Sequence, residues 1–247
     1  MKDPVALAYS GRIPEAIDAA LAQASSDDDF LVAQALEALA VLGQQHGLRT
    51  NAALDRILVQ RSGESPSIAR KAFEAAMGVG SSALEPVAAH RLEAGQATWD
   101  VLRYAGEWPS HRLGRALLAG WERLPRQLLD EALLTSCAMP VANPEEAREF
   151  GRRAMDAARE RDEELRAAGF VALKWWIPLE TADICAQSLT DDSQAIRQAA
   201  AELLATLDPE RLIELAQELG EPAREVQSVA LRTREELLRR AMKKAPR

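Results

Sequence analysis

Few residues in this chain have types and spacings that could do chemistry. His46, His90 and His111 are its only histidines, and none has another His, a Cys or paired carboxylates at a metal-ligand spacing. Cys137 and Cys185 stand far apart in apolar helical surroundings. They read as two reduced, buried thiols, not as a disulfide framework. Gly78-Val79-Gly80 has neither a following Lys-Ser nor a third Gly, so it reads as the end of a helix and not as a phosphate loop. No Ser, His and Asp arrangement is visible along the chain. No catalytic residue is assigned, and no cofactor or metal ion is expected.

One stretch mixes aromatic and basic side chains, a combination that stacks bases and holds phosphates. From Trp99 to Arg126 the sequence carries Arg103, Tyr104, Trp108, His111, Arg112, Arg115, Trp121 and Arg123. Charge argues against that use. The chain has a formal net charge of −8, from 38 acidic and 30 basic residues. Residues 232–247 hold seven Lys or Arg against two Glu, a local +5, which leaves −13 on the rest. A phosphate-neutralising protein needs a basic face, so nucleic acid is not the expected partner. The basic tail reads as a solvated helix end whose cations complement the helix dipole.

The elements that must position these residues are helices. The 247 residues include 47 Ala and 33 Leu, against two Tyr and four Phe, which leaves little material for strands. The clearest unit is Asp191 to Asp208, where Ile196, Ala199, Ala200, Leu203, Leu204 and Leu207 form one apolar stripe at offsets of three and four. Asp191 or Asp192 is the expected cap of that helix. A helix over Pro178 to Leu189 precedes it and another over Asp208 to Leu219 follows. Asp162 to Trp176 repeats the pattern 31 residues earlier, with Leu165-Arg166 in the place of Ile196-Arg197. Fainter copies place Leu31, Ile68, Leu113 and Val226 at equivalent positions. The long interval between 113 and 165 leaves room for further helices over Pro125 to Cys137 and Pro144 to Arg161.

The pattern Asp191, Ile196-Arg197, Ala200, Leu203-Leu204, Leu207 resembles a HEAT-like helical repeat, the phycobilisome-lyase-type repeat included. The resemblance implies an all-α fold, a right-handed α-α superhelix (a HEAT-like solenoid) of about five or six irregular helix pairs. It implies one domain over 1–247, with the clearest repeats at 162–207, an irregular central part at 96–161 and a C-terminal capping helix at about 221–244. It further implies that Arg166 and Arg197 are scaffold residues tying successive repeats together.

In such a solenoid the second helix of each pair lines the concave side, which makes its outward positions a candidate ladder. The ladder runs through Glu37 and Val41, Arg70 and Glu74, Arg115, Glu122 and Arg123, Lys174 and Trp175, then Gln198 and Glu202. Its mixed signs suit a protein partner more than a nucleic acid, and Arg70, Glu74, Arg115, Glu122, Arg123, Lys174 and Trp175 are the candidate partner-binding residues. Of the five tryptophans, Trp121 and Trp176 occupy apolar stripe positions, so Trp175 must point elsewhere and is the candidate exposed anchor. The expected function is a non-catalytic adaptor or scaffold that binds another protein. Two alternatives stay open: a DNA-repair glycosylase or lyase-type enzyme on the same scaffold, and an assembly protein that self-associates. Neither a membrane-spanning stretch nor a signal peptide is expected, and a cytoplasmic location fits the reduced cysteines.

Overall fold

The structure, a computed structural model, describes residues 2–219 and 224–244; fifteen α-helices and no strand occur among them, as an all-α sequence requires. Among the described residues no helix is long and apolar enough to cross a membrane. The chain divides into two compact units, one of Met1–Leu128 with Ala138–Pro140 and one of Leu129–Cys137 with Val141–Arg247.

The first unit holds α1 (Pro4–Tyr9), α2 (Ile13–Ala24), α3 (Asp29–His46) and α4 (Ala52–Ser62). After them come α5 (Pro66–Val79), α6 (Glu85–Glu93), α7 (Trp99–Glu107), α8 (His111–Gly120) and a 3-10 turn at Trp121–Arg123. The second unit holds α9 (Leu129–Ser136), α10 (Pro144–Ala158), α11 (Glu163–Leu173) and α12 (Thr181–Ser188). It ends with α13 (Gln194–Leu207), α14 (Pro209–Leu219) and α15 (Arg224–Lys244). Of the capping helix expected at about 221–244, residues 221–223 lie outside the described residues.

Local chemistry sets the helix ends. Asp28, Asn51, Asn143 and Asp162 each accept first-turn N–H groups of the helix that follows. One cap differs from expectation. Ser193, not Asp191 or Asp192, caps α13, because the Asp191 carboxylate is taken by Arg166 and by the Ser193 N–H. Gly80 closes α5 at φ +73, a left-handed conformation that favours glycine, so the Gly78-Val79-Gly80 run does end a helix.

In the first unit α3 lies along α5, with α2 on α3, α4 on α5, and α7 on α5 and α6, while α8 packs on α6. The α3–α5 contact is backbone to backbone. A Cβ on Gly43 would stand 2.2 Å from the Gly78 carbonyl oxygen, and one on Gly78 would stand 2.7 Å from that of Ala40. The core is Phe73 meeting Tyr104 edge-on at 5.3 Å, with the Arg91 guanidinium 5.6 Å above the Phe73 ring. A polar chain closes this core. The Tyr104 hydroxyl donates to the Ser81 carbonyl at 3.1 Å, and the Ser81 and Thr50 hydroxyls both donate to Asp55 Oδ1 at 2.5 Å.

In the second unit the pairs are α10 with α11, α12 with α13 and α14 with α15; α11 packs on α13, and α13 on α15. Phe150 and Trp176 stack at 5.1 Å, and Trp176 Nε1 donates to Ser136 Oγ at 3.2 Å. Cys185 is buried and its thiol is pushed up to about 12 by burial. Cys137 is only half-buried, and burial pushes its thiol up to about 11. Both sulfurs are protonated near neutral pH, which makes them inert.

Candidate functional site

Arginine is the residue that joins helix to helix here. Arg166 Nη1 donates to the carbonyls of Glu160 and Arg161 at 3.1 and 2.7 Å, and its Nη2 reaches Asp191 Oδ1 at 3.0 Å. Arg197 repeats the arrangement: Nη1 donates to the carbonyls of Asp191 and Asp192 at 2.7 and 3.0 Å, and Nε reaches the Glu225 carboxylate. Both guanidiniums therefore hold the chain just before their own helix and then an acidic residue 25 or 28 positions further on.

A second series occurs in the first unit. Arg61 donates to the carbonyls of Ala24 and Ser26, both at 2.9 Å. Arg91 donates to the Ser62 carbonyl at 2.6 Å, and Arg123 to the carbonyls of Glu93 and Ala119. Each fills orphan carbonyls at the end of an earlier helix, where a cation also complements the helix dipole.

These bonds bear on where the candidate residues sit. Arg123 has its guanidinium on backbone carbonyls. Arg70 pairs with Glu74 one turn along α5 at 2.6 Å, and Lys71 beside them reaches Glu37 of α3 at 3.0 Å. Arg115 is exposed on α8 with no hydrogen bond or ion pair among the described residues, and Glu122 is exposed in the 3-10 turn. Within the first unit α5 packs with α3, α4 and α7, whereas α8, which carries the exposed Arg115, packs on α6. Lys174 and Trp175 follow α11 in the second unit, with Lys174 3.8 Å from Glu202 of α13. Val41, read as outward-facing, is buried, because it packs with Leu7, Ala8 and Ala16 of α1 and α2.

The segment around Trp175 is the clearest apolar surface. Pro178 excludes helical backbone from the residue before it, so α11 ends and the chain runs on as a turn. The turn lies on α10 because Gly151 has no side chain: a Cβ there would stand 2.7 Å from the Trp176 carbonyl oxygen. Trp176 and Pro178 face inward and are half-buried, which turns Trp175, Ile177 and Leu179 outward at 66, 52 and 99% exposure. Between the turn and α10 runs a groove of about 660 Å³, lined on the α10 side by Ala147, Arg148, Arg152 and Met155. Arg152 is held by Glu149 and Asp156 at 2.7 and 2.8 Å, and its hydrogen bond keeps the Glu149 carboxyl below the usual range. Arg148 donates to the Pro144 carbonyl and has no carboxylate partner among the described residues.

Ile177, Leu179 and Arg148 had no place in the sequence-level ladder. For Ile177 and Leu179 the signal was the Trp-Trp-Ile-Pro run, in which Pro178 takes the chain out of the helical stripe. Trp121 is buried as its stripe position requires, and Trp99 is half-exposed at the start of α7. The neighbouring Asp100 carboxyl is raised by burial and by the Glu74 charge. Among the described residues no group of His, Cys, Asp or Glu is placed to hold a metal ion. Comparison with known proteins gives no match: no family model fits the chain, and no curated protein or solved structure is significantly similar to it.

Proposed function

We propose that this chain is a non-catalytic protein-binding adaptor built on HEAT-like repeats of the right-handed superhelical kind. Support for the repeats comes from Arg166 and Arg197, 31 residues apart, which make the same two-sided contacts. Further support comes from the successive pairing of α10 with α11, α12 with α13 and α14 with α15. The docking surface is the groove between α10 and the turn at residues 174–180. Its occupant is a short apolar segment of another protein that carries an acidic residue to meet Arg148.

The observation that carries this reading is the outward set Trp175, Ile177 and Leu179, held by a turn whose inward Trp176 is fixed to Phe150 and Ser136. Apolar side chains on a pre-ordered turn bind with little further loss of conformational freedom, and tryptophan is enriched among the residues that dominate interfaces. Arg148 supplies orientation and steering. Arg70, Glu74 and Arg115 have no part in this groove.

The test is capture from native lysate at moderate salt, with and without nuclease, using the full chain and its Trp175→Asp/Leu179→Asp variant. A discrete protein that binds the parent chain, survives nuclease and is lost with the variant supports the adaptor. Capture of the same proteins by both chains, or recovery of nucleic acid that salt releases, contradicts it.

A further inference from the structure

Among its described residues, α15 carries buried side chains only in its first turns. Val226, Val229 and Ala230 of α15 are buried, whereas no residue from Leu231 to Arg240 is. Leu231 and Leu238 are 62 and 57% exposed. Seven residues apart, they share one face two turns along. Arg234 and Glu235 stand between them on that face. Arg234 has no hydrogen bond or ion pair among the described residues, and Glu235 reaches Arg239 at 3.5 Å in an exposed pair. Beside Leu231 lies a socket of about 230 Å³ between α14 and α15, lined by the apolar Ile213, Ala216, Ala230 and Leu231 and by Gln217, Gln227 and Arg234.

We propose that α15 is a homodimerisation helix, and that two copies pair antiparallel about a two-fold axis passing between Arg234 and Glu235. The occupant is a second copy because the stripe is complementary to its own reverse. Read in one direction it is Leu231, Arg234, Glu235, Leu238; read in the other it is apolar, negative, positive, apolar. A two-fold contact uses the same patch on both molecules, so a patch must complement itself to close one. In this register Arg234 meets the second copy's Glu235, and Glu235 meets the second copy's Arg234. Leu238 enters the socket beside the second copy's Leu231, and the same happens in return. Both ion pairs and both sockets are satisfied at once, with no charge left facing a like charge. The contact is only a few turns of helix long, which makes the dimer a concentration-dependent one. It uses no residue of the Trp175 groove, so it stands or falls apart from the adaptor reading.

Sedimentation of the full chain over a concentration series tests it. The expected mass rises from that of the 27.0 kDa chain towards twice that value as concentration increases. Arg234→Glu, which sets like charges opposite each other, weakens dimerisation by about tenfold or more. Arg234→Glu combined with Glu235→Arg restores it, and Leu238→Lys abolishes it. All these positions are exposed, so helicity and the unfolding midpoint measured in parallel stay at parental values. Four results would overturn the proposal: a monomer at the highest soluble concentration, a species larger than a dimer, a dimer indifferent to both single changes, or a charge reversal that does not restore pairing.

Discussion

The Arg166 guanidinium donates to the Asp191 carboxylate at 3.0 Å, and the carbonyl of the same Asp191 accepts from Arg197 at 2.7 Å. One acidic residue thus joins two arginines that stand 31 positions apart, α11 on one side and α13 on the other. Both guanidiniums are mostly buried, so their bonds are exchanged for water only at a cost. Arg166→Ala and Arg197→Ala should each lower the unfolding free energy by about 1.5–3 kcal/mol. Urea unfolding measures it, and Arg→Lys at either position should recover little, because an ammonium cannot span carbonyl and carboxylate together.

Acid should loosen the far end of this chain of contacts. Burial pushes the Glu225 carboxyl up, but its bonds to Arg197 outweigh that and hold it below its ordinary 4.5. The unfolded chain therefore takes up the proton first as pH falls. The stabilisation is present in full above 4.5 and is lost as pH drops through the lower, folded value. Unfolding midpoints measured down this range should fall more steeply for the parent chain than for Glu225→Gln.

Asp100 should show the opposite sign. Burial, with the Glu74 charge adding to it, raises its carboxyl above the ordinary 3.8. The folded chain then binds the proton more readily than the unfolded one, so ionising Asp100 costs stability as pH rises through that window. Asp100→Asn should raise the melting temperature at neutral pH, and the gain should vanish below 3.8.

How much of this was legible follows from where each partner lies in the sequence. Helix positions came from apolar offsets within one segment, and Trp175 was exposed because Trp176 beside it claimed the inward direction. The arginine series Arg61, Arg91 and Arg123 was not legible. Its acceptors, Ala119 apart, are backbone carbonyls 29 to 37 residues away, and every residue carries a carbonyl whatever its type. The sequence points to Asp191 or Asp192 as the cap of α13, and the structure differs for a related reason: a distant arginine competes for Asp191, and Ser193 takes the capping role. Ile177 and Leu179 lie outside the ladder because a helical stripe does not continue past α11, where the chain turns off ahead of Pro178.

The Asp55 carboxylate holds two hydroxyls at once, one from the loop before α4 and one from the loop before α6. Removing it leaves both without their acceptor in the first unit. Asp55→Ala should cost roughly 2–4 kcal/mol in urea unfolding, and Ser81→Ala made on top of it should cost less than Ser81→Ala alone.

Backbone contact between α3 and α5 sets a tight steric limit. Gly43→Ala adds a Cβ that the Gly78 carbonyl already excludes, and neither helix can yield without moving its neighbours. The expected loss is about 1–3 kcal/mol, read by thermal or urea unfolding.

On the proposed function, the turn carrying Trp175 and Leu179 receives a protein. Leu179 is 99% exposed and belongs to the groove, so a photo-reactive residue in its place reports directly on what lies there. Irradiation in native lysate should give one discrete protein adduct, lost when Trp175→Asp is added and absent when the same group replaces exposed Gln127 of the first unit. An adduct pattern shared by both positions, or one unchanged by Trp175→Asp, would contradict the account.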